Sequence, residues 1–347
     1  MPRVAQAARL IPGWETSLGD YVTALAWTPR GARLLAASAD GGISVLEPEQ
    51  GQVSTIGEHP RGALCVSVRA DGEMYASGGQ DGKLALWDAA ALREVARLPG
   101  DAAWVEHVAF QPRGTLIAAA AGKHLKLWSP DGALVRTLSD HASTIAAIGW
   151  DSNGRQLAAA AYGGLWIHGV AGTPSASNVT VATHTLTWQG SALSVAWHPD
   201  NKIIASGMQD GTVHFWRSGA RESAQMSGYP TKVRQTSWSA SGRFLATGGG
   251  EQITVWDFRG KGPEGTRPLE LNWHVDLVAA LAFHPQSHYL ASGGRDGRLA
   301  LWHPGETLAS LDAHQLPAIA AVLAWSADGK RLAVGCESGL VRLYDLA

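Results

Sequence analysis

The stretch Val278 to Pro304 holds three short apolar runs separated by tight-turn residues, and the chain repeats that arrangement from end to end. Val278 to Phe283 fits one strand, and His284-Pro285-Gln286-Ser287 breaks it and turns the chain. Tyr289 to Gly293 fits a second strand, Asp296-Gly297 signals a short hairpin, and Leu299 to Trp302 fits a third. Such a unit leaves strand edges open and two apolar faces uncovered, so it needs copies of itself to be stable. The copies begin at Val22, Ala63, Val105, Ile145, Ala192, Val233, Val278 and Ile319.

Their third strands end at Leu46, Trp87, Trp128, His168, Trp216, Trp256, Trp302 and Tyr344, spaced by about 43 residues on average, as for four-stranded propeller blades. The expected fold is all-β: an eight-bladed β-propeller of four-stranded antiparallel blades forming one domain over residues 1–347. Leu46 and His168 stand at the usual Trp position, so seven blades is the alternative. Fourth strands are expected at Arg93–Leu98, Ala133–Leu138, Pro268–Asn272 and Glu306–Leu311, more polar because they are outermost. The last unit stops at Ala347, just after its third strand. Ala8 to Gly13 resembles Ala96 to Gly100, so the N-terminus is expected to supply the missing strand and close the ring. Gly169–Ser177 and Phe258–Arg267 are rich in Gly, Pro and Ser and read as loops.

Charged residues make up 17% of the chain, and 41 of its 347 residues are Gly, which suits strands buried on two faces and joined by tight turns. A net charge of −2 without Lys/Arg runs argues against nucleic-acid binding. No apolar run is long enough to span a membrane, and the first residues lack the apolar centre of a secretory signal. A cytoplasmic monomer is expected, and the sequon at Asn178 is then a chance match. Cys65 and Cys336 lie within strand patterns and imply no disulfide framework.

With Trp87-Asp88, Trp256-Asp257, the variant Tyr344-Asp345, and Asp-Gly turns at Asp40, Asp81, Asp210 and Asp296, the chain resembles the WD-repeat (WD40) propeller family. The resemblance implies a hydrogen-bonded set within a blade: His before the first strand, Ser or Thr in the second, Asp in the turn and Trp in the third. His59, Ser77, Asp81 and Trp87 match it, as do His274, Ser292, Asp296 and Trp302. In the fifth unit Ser206, Asp210 and Trp216 match, with Gln189 at the His position. Because the set recurs in separate blades, it reads as structural and not as a Ser-His-Asp triad, which needs one accessible nucleophile.

The repeat also accounts for most of the 13 His residues: His198 and His284 precede prolines, and His141, His274 and His314 fall before first strands. His284 and His288 are four apart but in a turn, and no Cys/His cluster has zinc spacing, so neither metal nor cofactor is expected. Gly248-Gly249-Gly250 opens a hairpin and not a phosphate-binding helix. No catalytic constellation is visible. The expected function is a non-catalytic scaffold for an unidentified protein or peptide partner, held on the channel rim. Candidate contacts are Tyr21, Trp104, Glu106, Lys232 and Arg234 leading into first strands, and Gln80, Tyr162, Gln209 and Arg295 at the second turns. The alternative is an enzymatic or small-molecule site at the channel mouth.

Overall fold

The computed structural model describes residues 8–101, 103–138, 141–172, 179–217, 223–260 and 262–347. Eight antiparallel sheets are formed, seven with their strands in chain order and one that adds the N-terminal strand to the last three. In the second blade the strands are Ala63–Val68, Met74–Gly79, Lys83–Asp88 and Arg93–Pro99. The second and third strands are buried almost throughout, whereas Arg93–Pro99 alternates between exposed and half-buried residues. Inner strands therefore carry unbroken apolar runs, and the outermost alternates because one of its faces is wet.

In the fourth blade the two middle strands form one continuous element, Gln156–Ala171, that turns back on itself at Tyr162-Gly163. Its first half pairs with Ala147–Trp150, its second half pairs with Thr180–Ser191, and Val170 N–H donates to Arg155 C=O where its ends meet. His168 and Leu46 thus sit in complete blades, and eight blades is the answer over seven.

The last blade is completed from the far end of the chain. Leu10–Ser17 lies antiparallel to Leu340–Leu346, with Leu10 opposite Leu346 and Ser17 opposite Leu340. Arg9 and Ala347 exchange both backbone hydrogen bonds, at 2.9 and 3.0 Å. Leu10, 1% exposed, enters the apolar cluster between blades 7 and 8, and its N–H donates to Asp312 of blade 7. Ring closure by the N-terminal strand holds as the sequence suggested.

Among the described residues, each seam between neighbouring blades has its own apolar cluster, including the closing seam of Val22, Leu34 and Leu46 against Ala333, Val341 and Leu343. Two devices bring blades together. A Cβ added at Gly78, Gly293 or Gly335 would lie 2.5 to 2.6 Å from Val105, Ala320 or Val22, the first residue of the next blade's inner strand. Tryptophans at first-strand ends also reach back to the preceding blade: Trp27, Trp150, Trp197, Trp238 and Trp325 donate indole N–H to its backbone carbonyls at 2.9 to 3.2 Å. His198 and His284 reach forward, to Gly242 O and Gly329 O, both at 3.0 Å. Such hydrogen bonds satisfy buried polar groups while fixing each blade to its neighbours.

Three local expectations are corrected. The fourth strand of blade 7 is Asp312–Gln315, not Glu306–Leu311. Leu308 is exposed, and the segment before Asp312 is a wide turn. Asp312 and His314 serve the seam, where Asp312 holds the N-terminal strand and His314 packs 4.9 Å from the Tyr344 ring. His314 therefore lies within a fourth strand, and Leu316 is the residue four before Ala320, where the inner strand begins. Gly169–Ala171 continues a strand paired with Thr180–Ala182, because cross-strand bonds outweigh its glycine content; residues 173–178 lie outside the described residues. Leu269–Leu271 and Leu134–Leu138 agree with expectation, as does the irregular course of Phe258–Arg267 around the undescribed Lys261.

Candidate functional site

The His-Ser-Asp-Trp sets form as bonded units in two blades. His59 Nδ1 lies 2.9 Å from Asp81 Oδ1 and its Nε2 2.8 Å from Ser77 Oγ, which accepts the Trp87 indole N–H at 2.9 Å. His274, Asp296, Ser292 and Trp302 repeat this at 3.2, 2.8 and 2.9 Å. A neutral imidazole satisfies every contact: Nδ1–H donates to Asp, and Nε2 accepts from the Ser hydroxyl. Burial holds both imidazoles below their ordinary pKa even though the aspartates pull the other way. Ser77 and Ser292 are each 0% exposed and already bonded, so neither hydroxyl is placed to attack a substrate.

The same slot is filled differently elsewhere. It lies four residues before the position where the inner strand meets the second strand, at His59 before Ala63 and His274 before Val278. In blade 5 the matching position, four before Ala192, is Trp188 and not Gln189. The Trp188 ring lies 3.9 Å from that of His214, and the bonded set does not form: Ser206 donates to its own neighbour Gly207 O. Blade 6 has a set that the sequence reading missed. Tyr229 occupies the slot, its hydroxyl 2.7 Å from Thr247 Oγ1 and accepting Trp256 N–H at 2.7 Å. Blade 4 places two imidazoles together, His141 and His168, with Nε2 atoms 3.3 Å apart.

The second-turn residues and the lead-ins to the inner strands meet at one end of the ring. Gln80 N–H donates to Gly62 O, Gln209 to Ser191 O, Arg295 to Leu277 O and Glu337 to Ile319 O. This recurring bond fixes each turn beside its own blade's lead-in. Of the nine candidate residues, Tyr21, Lys232, Arg234 and Arg295 line one cavity of about 380 Å³ spanning blades 6, 7, 8 and 1. Leu277, Val278, Ala279, Ile319 and Ala321 give it apolar walls, and Glu337 is its one carboxylate. The Tyr21 phenol is pushed up by burial and by Glu337, with Arg295 opposing. Gln80, Trp104, Glu106, Tyr162 and Gln209 lie outside this cavity, on blades 2 to 5.

Trp104 and Tyr162 are 51% and 57% exposed, large apolar surfaces left open to solvent. Glu106 is half-buried, and burial raises its carboxyl. Beside it in the same strand, burial lowers the His107 imidazole to about 4. Sequence reasoning missed Trp273 and Val275, which flank His274 and are 42% and 64% exposed. The signal was there: a Trp beside a buried tether residue, outside both repeat positions that bury Trp. Arg298 stacks over Trp273 with its guanidinium 5.1 Å from the ring centroid.

The described residues include no group of three or more His, Cys, Asp or Glu that could hold a metal ion. His284 and His288 point to different partners, Gly329 O and Ser241 Oγ. Burial pushes the thiols of Cys65 and Cys336 up to about 12 and about 11, which makes them poor nucleophiles at neutral pH. Among the described residues no helix is long and apolar enough to cross a membrane.

Comparison with known proteins agrees with this geometry. The family model described as WD domain, G-beta repeat matches residues 13–45, 50–88, 92–129, 132–166, 180–217, 221–257, 265–303 and 305–345. The first match takes in part of the N-terminal strand together with the inner strands of blade 1, so the sequence repeat is offset by one strand from the structural blade. Cell division cycle 20.1, cofactor of APC complex, from Arabidopsis thaliana is 25% identical, covering 82% of this chain and 63% of that protein. Pre-mRNA-processing factor 19 from Oryza sativa subsp. japonica is 26% identical over 69% of this chain and 45% of that protein. The chain thus spans less than two thirds of the length of these curated relatives. Among solved structures, the computationally designed Ika8 protein superposes with a TM-score of 0.79 at 19% identity, covering 98% of this chain and 100% of the other, a likeness of fold. Eight successive family matches on a closed ring of eight blades establish that this chain belongs to the WD40 repeat family.

Proposed function

We propose that the chain is a non-catalytic platform that holds a protein or peptide partner against the rim of its channel face. The observation that carries this reading is the gathering on one end of the ring of exposed Trp104, Tyr162 and Trp273 with the cations Lys232, Arg234 and Arg295. Tryptophan, tyrosine and arginine dominate the binding energy of protein interfaces, and aromatic surface left in water favours being covered. The similar protein described as a cofactor of the APC complex works within an assembly, and a partner-holding role is extended to this chain by that likeness. We also read residues 1–347 as one domain. A small-ligand site at the channel mouth has less support, since one carboxylate lines the cavity and the described residues hold no metal-binding group.

Affinity capture from the native lysate tests the proposal. Trp104→Ala/Tyr162→Ala is expected to recover much less partner than wild type, while Val95→Ala on the outer strand recovers as much. Equal recovery by the rim variant and wild type would show that this rim is not the binding surface.

A further inference from the structure

The channel-face cavity is charged in an uneven way. Lys232, Arg234 and Arg295 are all exposed and line the same 380 Å³ space, yet none forms an ion pair within 4.0 Å among the described residues. Elsewhere on the surface some arginines are paired, as Arg97 is with Asp81 and Glu94, Arg243 with Asp257, Arg331 with Glu49 and Arg342 with Glu15, while others such as Arg30, Arg61 and Arg113 stand singly among the described residues; what distinguishes the three is that they share one cavity. A chain with a net charge of −2 thus gathers three cations against one carboxylate, Glu337, at one mouth. Their mutual repulsion is relieved when an anion binds among them.

From this arrangement we infer that the cavity receives an acidic peptide segment of the partner. Its carboxylates are held by Lys232, Arg234 and Arg295, and an adjoining aliphatic side chain is set against Leu277, Val278 and Ile319. The inference rests on the platform reading and adds the chemistry of what is bound. The apolar walls favour a carboxylate on a hydrocarbon stem over a bare inorganic anion. Glu337 lines the same cavity next to Tyr21, which also feels Arg295, and it repels an acidic group set directly against it. Exposed Asp20, Glu251 and Asp276 on the same end of the ring interrupt the positive charge. That interruption disfavours a nucleic-acid backbone or an anionic membrane, each of which needs a continuous basic surface.

Fluorescence anisotropy with the labelled hexapeptide Leu-Glu-Leu-Glu-Glu-Leu and its Gln-for-Glu counterpart tests this on the full chain. Wild type is expected to bind the acidic peptide about tenfold more tightly at low salt, a preference that shrinks as salt rises. Lys232→Ala/Arg234→Ala/Arg295→Ala should abolish the preference, and Lys232→Arg/Arg234→Lys/Arg295→Lys, which keeps the charges, should retain it. Equal binding of the two peptides by wild type overturns the inference, as does a preference that survives the triple alanine change. Tighter binding to inorganic phosphate or to phosphatidylserine vesicles than to the acidic peptide overturns it as well. The capture experiment with Trp104→Ala/Tyr162→Ala is independent. Loss of capture without a peptide preference sinks the acidic-segment inference alone, whereas unchanged capture sinks the platform reading.

Discussion

Ser77 holds two buried groups with one hydroxyl, the imidazole of His59 and the indole of Trp87. Removing that hydroxyl leaves the His59 Nε2 and the Trp87 indole N–H unpaired, so Ser77→Ala should cost about 2–3 kcal/mol. Ser206→Ala, where the hydroxyl bonds only its neighbour's carbonyl, should cost under about 1 kcal/mol. Urea denaturation of both variants measures the contrast, and equal losses would contradict the account of the bonded set. A second prediction concerns pH. Burial lowers both His107 and His168 from 6.5 to about 4, with His141 and His184 adding repulsion at His168. Between these values the unfolded chain takes up protons that the folded chain refuses, so stability is full above pH 6.5 and drains as pH falls toward 4. Thermal melts across that window should show a falling midpoint, and a shallower fall in His107→Gln/His168→Gln. At this scale the sequence named the sets of blades 2 and 7 because all four residue types stand at the expected spacing. Tyr229 escaped notice because a phenol does in blade 6 what an imidazole does elsewhere.

The N-terminal strand is a small element with a large consequence, because it pairs with Leu340–Leu346, whose edge would otherwise lie open. Deleting residues 1–17 should expose that edge and bare the seam around Leu10 and Tyr344, giving a less stable, aggregation-prone protein by light scattering. The closing seam depends on contact too: a Cβ at Gly335 would lie 2.6 Å from Val22 Cγ1. Gly335→Ala should lower the melting temperature, whereas Gly228→Ser, at a position with nothing within 4 Å of the added atom, tests only the strain of its positive φ. Inner strands were legible because burial on both faces makes them continuous apolar runs bounded by turns. The fourth strand of blade 7 was not. Its residues Asp312 and His314 were selected by contacts across the seam, and such contacts leave no local pattern.

For the molecule as a whole, the number of blades and the closing of the ring follow from a repeat that no single unit can satisfy alone. The repeat says less about the face. It singled out the positions that Tyr21, Lys232, Arg234 and Arg295 occupy, but their gathering at one cavity depends on how blades 6, 7, 8 and 1 are arranged around the channel. Trp273 and Val275 stayed hidden because the repeat explains their neighbour His274 and not them. The central claim is that a partner docks on this rim, and site-directed photo-crosslinking tests it most directly. A benzophenone amino acid would be placed in turn at Trp104 and Arg295 on the rim, at Val95 on the outer edge and at Asp328 on the opposite end. In the native lysate the rim positions should crosslink to a common partner, while Val95 and Asp328 should not. Crosslinks to that partner from Val95 or Asp328, with none from Trp104 and Arg295, would contradict the account.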